Sequence, residues 1–281
     1  MFPFRSVDEN SKFGAGSFPM KKSFFVLSVF LGVMLFACGG GGGGGSTSSG
    51  DDDQTVNTLE YVRDTSRTYT FHETQSATAN GQSASATLTK VFSYEQVSSV
   101  PAGYGDFDDY TGPYYLEIVS KDGEETENTY TDVDGNVLVQ ADPSTFTRIY
   151  DNDYSGDGIP SSVVLNRTYS STARQILYNA DLDAGFWGEE LGFSLTTSST
   201  KPVAVENVTV PAGTFSALKF QINQTISITL DGQTNSTTYT GYQWLGKDMG
   251  LIKFFLSYSQ TISGVTVQYT ITDELSSVSD G

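Results

Sequence analysis

The chain has 281 residues, 33 acidic and 15 basic, for a formal charge of −18, with 16 tyrosines, 18 phenylalanines, 1 histidine and 1 cysteine. A chain this acidic repels phosphate backbones and anionic headgroups, which excludes nucleic-acid binding through a basic face. The cysteine and histidine counts exclude a disulfide framework and leave too few ligands for a zinc site.

Residues 1–19, "MFPFRSVDENSKFGAGSFP", put Asp8 and Glu9 where an export leader is purely basic. They read as a start assigned too early, with Met20 the true first residue, or as an extended leader. Residues 20–37 then have the three-part layout of a signal peptide: Lys21 and Lys22, an apolar run from Ser23 to Ala37, and small residues. That run is 15 residues long, too short to span a bilayer comfortably as a helix. It ends in Leu35-Phe36-Ala37-Cys38, which resembles the lipobox of bacterial lipoproteins. The resemblance implies that Cys38 is lipidated, carrying diacylglycerol and palmitate, and becomes the first residue after cleavage. Gly39 in place of an aspartate implies sorting to the outer membrane. The chemistry agrees independently, because a lone thiol in an oxidising compartment has no partner and is a liability unless consumed.

Cleavage at Cys38 leaves 244 residues, of which 11 are basic and 31 acidic, a formal charge of −20. Membrane association must then come from the lipid, which anchors stably when several acyl chains share one residue. Residues 38–56 are the lipidated cysteine and a Gly/Ser/Asp tether, "GGGGGGGSTSSGDDDQTV", with almost nothing to bury. Residues 57–281 suffice for one all-β domain of ordinary size.

Within that domain the elements read as strands in chain order: "TYTFHE", "SASATLTKVFSYEQV", "YYLEIVS", "NTYTDVDGNVLVQ", "SVVLNRTYS", a long run "LKFQINQTISITL", "LIKFFLSYS" and "VTVQYTIT". The long run alternates most strictly. Leu218, Phe220, Ile222, Gln224, Ile226, Ile228 and Leu230 fall on one face, and every odd position from Lys219 to Thr229 is polar. One dry and one wet face mark an antiparallel sheet exposed on one side. Asp122-Gly123, Asp134-Gly135, Asp231-Gly232 and Ser263-Gly264 supply hairpin turns. "DLDAGFWGEELGF", Asp181 to Phe193, reads as a loop with at most a helical turn. The expected fold class is all-β: a single curved antiparallel sheet or open half-barrel, with few or no helices after the signal peptide.

Two stretches carry more than strand pattern. The first is "ENVTVPAGTFSALKF", Glu206 to Phe220, followed by "YQWLGKDMGLIKFF", Tyr242 to Phe255. The pair resembles a group of uncharacterised bacterial envelope proteins over about the last 80 residues of the chain. Some of those are similar to periplasmic lipoprotein carriers, which implies a curved sheet around an apolar concavity. Physically, Pro211 and Gly213 make a sharp corner between strands ending at Val210 and beginning at Phe215. Phe215, Trp244 and Leu251 are then expected in the core.

The second is "DNDYSGDGIPSS", Asp151 to Ser162. Asp151, Asp153, Ser155 and Asp157 place hard oxygen ligands at alternate positions around a glycine turn, as calcium requires. Position twelve is Ser162 instead of a bidentate glutamate, so a weak calcium site and a solvated acidic loop are both open readings. No other cofactor is expected. "GYGDFDDYTGPYY", Gly103 to Tyr115, mixes aromatics and acids that suit a sugar, a partner or an acidic surface loop.

No residue set for catalysis stands out. His72 is alone and no nucleophile motif accompanies it, while Glu124-Glu125 and Glu189-Glu190 read as solvated charges in polar loops. The expectation is an outer-membrane-anchored lipoprotein that is not an enzyme and whose β domain binds an apolar small molecule or an envelope protein. Its rivals are a calcium-stabilised surface adhesion or assembly module and, third, a carboxylate-dependent glycan hydrolase.

Overall fold

The computed structural model describes residues 54–98, 113–131, 137–141, 147–150, 155–156, 160–178 and 190–281. They form β1 (Thr55–Asn57), a 3-10 turn (Thr58–Tyr61), β2 (Arg67–Ala79), β3 (Gln82–Val97), β4 (Tyr114–Lys121) and β5 (Glu124–Thr131). Then come β6 (Val137–Ala141), β7 (Thr147–Tyr150), β8 (Ser155–Gly156), β9 (Ser162–Val164) and β10 (Tyr169–Tyr178). The chain ends in five long strands: β11 (Glu190–Val210), β12 (Gly213–Leu230), β13 (Gln233–Gly246), β14 (Gly250–Ile262) and β15 (Val265–Asp280). The all-β expectation holds, and the 3-10 turn is the only helical element among the described residues.

Thirteen strands make one antiparallel sheet in the order β11-β12-β13-β14-β15-β2-β3-β4-β5-β6-β7-β10-β8. β10 also pairs with β11, so the short strands β4 to β7 link β3 back to β10 and β11. β4 takes only Lys90–Val97 of β3; the other half of β3, Gln82–Thr89, has β2 as its one strand partner among the described residues. Separately, β1 pairs with β9, and the segment from β1 to Arg63 forms a strap.

Tight reversals join the long strands. Asn80-Gly81, Asp122-Gly123, Asp231-Gly232 and Ser263-Gly264 all have positive φ at both residues, the conformation a two-residue hairpin needs. Asp134-Gly135 lies outside the described residues. β11 is the strand that sequence pattern conceals, because Pro202 interrupts it. The register shifts between Pro202 and Ala204, and at such a bulge a missing N–H costs no ladder bond. Its first residues, Glu190 to Phe193, were expected in a loop and are instead strand paired to β10. Serine and threonine ladder the wet face of β12 and β13: Thr225–Thr238 at 3.0 Å, Ser227–Ser236 at 2.8 Å and Thr229–Thr234 at 2.8 Å.

The dry face follows the alternation. Leu218, Phe220, Ile222, Gln224 and Ile226 of β12 are buried, with Ile252, Phe254, Leu256 and Tyr258 of β14 and Ile271, Asp273 and Leu275 of β15. The alternation fades toward the turn, where Leu230 is 39% exposed. The strap closes one end of this face: Val56 and Tyr61 pack with Val163, Leu218 and Phe220.

Candidate functional site

The inward face divides by chemistry. On β12, β14 and β15 it is a broad apolar surface. A row of tyrosines crosses it, Tyr239 to Tyr258 at 5.1 Å and Tyr258 to Tyr269, stacked, at 4.8 Å. Burial raises the Tyr239 and Tyr258 hydroxyls above their ordinary pKa, so these rings are neutral.

On β2 to β5 the same face carries buried charges. Lys90 donates to Asp273 Oδ2 at 2.8 Å and pairs with Glu73 Oε2 at 2.5 Å, all three nearly inaccessible. Burial opposes the Lys90 charge, but Asp273 and Glu73 outweigh it and hold the ammonium protonated. Burial would also raise Glu73; Lys90 foremost, then Lys121 and the hydrogen bond from Gln75, bring it down to about 2. Asp273 has less support and burial pushes it up to about 6. Lys121 stands directly across from Lys90, and burial followed by that like charge lowers its pKa.

A second cluster ties in the strap. Arg63 reaches inward to Glu117 at 3.5 Å and donates to the Tyr94 hydroxyl. Its guanidinium sits 4.5 Å from the Phe92 ring centroid and 5.2 Å from that of Tyr69. Burial pushes Glu117 up to about 7 against the pull of Arg63, and burial raises Tyr94 as well. These charges neutralise one another within the protein.

On β11 the face is polar and uncharged from Ser194 to Thr200, and β10 sets Gln175 beside it between the buried Ala173 and Leu177. Ser194 and Thr196 of β11 are buried, Ser194 donates to Gln175 Oε1 at 2.7 Å, and Gln224 donates to Ser198 Oγ at 3.1 Å. Gln175 Nε2 and Gln224 Oε1 are buried with no hydrogen-bond partner among the described residues. Sequence pattern gave no warning of this strip, because β11 reads as a Ser/Thr-rich connection.

Cys38, Asp151, Asp153 and Asp157 fall outside the described residues; Ser155 falls in β8, opposite Thr172. Among the described residues no three His, Cys, Asp or Glu side chains come together as a metal site. His72 is exposed on the outward face, beside Glu274 and Thr89. Glu124, Glu125 and Glu190 are exposed, and Glu189 is outside the described residues. At the Pro211 corner, β11 does end at Val210, and the Ala212 N–H donates to Leu275 O at 3.0 Å. Leu251 is buried as expected and Phe215 half-buried. Trp244 corrects the expectation. It sits on the outward face, donating Nε1 to Glu206 Oε1 at 2.8 Å, with Lys219 and Lys253 at 5.1 and 5.8 Å from its ring. The register explains this: Gln243, one residue earlier, takes the inward position opposite Phe220 and Phe254.

No protein-family model matches the chain, and no curated protein matches it. Two solved structures resemble it. One is described as an exported protein with a YmcC-like fold from Bacteroides fragilis, 13% identical, covering 78% of this chain and 98% of its own, with a TM-score of 0.28. The other is described as a lipoprotein from Parabacteroides distasonis, 15% identical, covering 75% of this chain and 95% of its own, with a TM-score of 0.27.

Proposed function

We propose that the chain is an exported, lipid-anchored protein of a bacterial outer membrane that catalyses no reaction and holds the apolar part of a ligand on its inward face. The observation that carries this reading is the apolar inward face of β12, β14 and β15, where Ile222, Phe254, Leu256 and Ile271 point the same way and are buried. Small-molecule sites are lined mostly by apolar side chains with a few polar groups among them, the composition this face has together with β11. The self-paired charges support a binding role over catalysis, since a general acid or base needs a reacting partner within reach. Anchoring rests on Leu35-Phe36-Ala37-Cys38 and the tether that follows.

Two measurements test the reading. The full chain, expressed with its own signal in a Gram-negative host, should incorporate labelled palmitate and lose the label with Cys38→Ser. Mass spectrometry of the purified protein should find an apolar molecule at stoichiometric level. An unlabelled chain overturns the anchor, and a protein that carries no apolar molecule and takes up none overturns the ligand site.

A further inference from the structure

We infer that the polar strip on β11 receives the headgroup of the bound molecule and that this headgroup is uncharged and rich in hydroxyls. The inference deepens the binding reading above and rests on it. The inward positions of β11 run Ser194, Thr196, Ser198 and Thr200, facing Ile228, Ile226, Gln224 and Ile222 of β12. The boundary between hydroxyl and hydrocarbon therefore follows the seam of β11 and β12. From Ser194 to Ser198 the strip is roughly 14 Å long at the usual rise of a strand.

The orphaned amides point to a ligand. Gln175 and Gln224 are 1% and 3% exposed, yet each has one amide end without a partner among the described residues. Gln224 bonds Ser198 at 3.1 Å through Nε2, leaving Oε1 bare, and turning the amide over would only leave Nε2 bare instead. A buried polar atom without a partner costs about 1 to 3 kcal/mol. Such atoms call for a specific explanation. Each free amide end is a donor in one orientation of the amide and an acceptor in the other, so the group that satisfies both in either orientation is one that can accept and donate. Hydroxyls do both, carboxylates and quaternary ammonium groups do not.

Charge selects in the same direction. No inward residue of β10 to β12 is charged. Among the residues whose side chains are described, the inward charges belong to β2 to β5, β15 and the strap, where Lys90 is held by Glu73 and Asp273, and Arg63 by Glu117. An ionic headgroup on the β11 strip would be desolvated with no counter-charge on β10 to β12, while a sugar-like one needs none.

Four amphiphiles sharing one alkyl chain separate the possibilities: octyl glucoside, octanol, octanoate and octyltrimethylammonium. Their binding is measured by calorimetry, below micelle formation, on the full chain carrying Cys38→Ser so that no acyl group competes. Octyl glucoside should bind roughly fivefold or more tightly than octanol, and both charged molecules more weakly than octyl glucoside. Gln224→Leu should bring octyl glucoside to the level of octanol and leave octanol unchanged; Thr196→Val should move it the same way by less. Octyl glucoside binding no better than octanol, or keeping its advantage in both variants, overturns the headgroup assignment alone. Binding of none of the four overturns it together with the apolar site.

Discussion

The Lys90 ammonium donates to Asp273 at 2.8 Å, joining strands β3 and β15 across the intervening β2 and linking residues 183 apart in sequence. The same ammonium pairs with Glu73 on β2, so three neighbouring strands share one buried charge. Lys90→Met removes the cation and leaves two acids in a dry environment. Breaking a buried pair from one side costs about 3 to 5 kcal/mol. Urea unfolding at neutral pH should show a loss of that order. Lys90→Met combined with Glu73→Gln and Asp273→Asn should recover a large part of it.

Stability should peak between about pH 4 and 5. Burial holds Glu117 at about 7 and Asp273 at about 6, above their ordinary values of 4.5 and 3.8. The folded chain therefore binds more protons than the unfolded one across that interval, and stability falls as pH rises through it. Glu73 acts oppositely. Held at about 2, it contributes stability that is full above its ordinary 4.5 and is lost as pH falls toward 2. The formal charge of −18 adds self-repulsion on the alkaline side. Thermal melts from pH 3 to 8 check the dome, and Glu117→Gln should flatten its alkaline limb.

Two glycines separate crowding from backbone conformation. Gly241 of β13 occupies an inward position where a Cβ would run into the Phe255 carbonyl of β14. Backbone cannot yield as a side chain can, so Gly241→Ala should cost roughly 3 kcal/mol. Gly81 has open space around it and φ of 77°, so its alanine variant pays only the left-handed conformation, about 1 to 2 kcal/mol. Chemical denaturation of both variants should preserve that order.

Trp244 and Leu251 show how far the sequence carries. Alternation located β12, β14 and β15 because one face of each is dry and the other wet, and paired turn residues located three of the described hairpins. Around Gly250 the inward register shifts between Trp244 and Leu245, so the aromatic goes out while Leu251 stays in. Hydrophobicity alone reads both as core. The inner ions and the β11 strip were equally hidden. Lys90, Glu73 and Asp273 sit at inward positions of strands far apart in sequence, and only the pairing of β15 with β2 and of β2 with β3 brings them together. Leu251→Ala should therefore cost about 2 to 5 kcal/mol. Trp244→Ala should cost less, since it gives up an exposed hydrogen bond and partial cover by two lysines. Equal losses would place the indole in the core after all.

Arg63 extends the same reasoning to the strap. It reaches the inward face from a segment whose strand β1 has only three residues, and its charge is matched by Glu117 and by the faces of Phe92 and Tyr69. Arg63 draws the Glu117 pKa down while burial draws it up, and burial prevails at about 7. Arg63→Met deletes the only one of these influences that the strap supplies, so the Glu117 pKa should climb further. A higher folded pKa widens the interval over which the folded chain holds the extra proton, and the alkaline loss of stability should run on past pH 7. The single variant leaves one buried acid without its cation and should cost about 3 to 5 kcal/mol at pH 8 but less at pH 5, where the acid is neutral. Adding Glu117→Gln removes the uncompensated charge. The double variant should be more stable than Arg63→Met at pH 8 and indistinguishable from it at pH 5. A double-mutant cycle by urea unfolding at the two pH values measures this directly, and a coupling energy independent of pH would show that Arg63 holds the strap by packing on the rings alone.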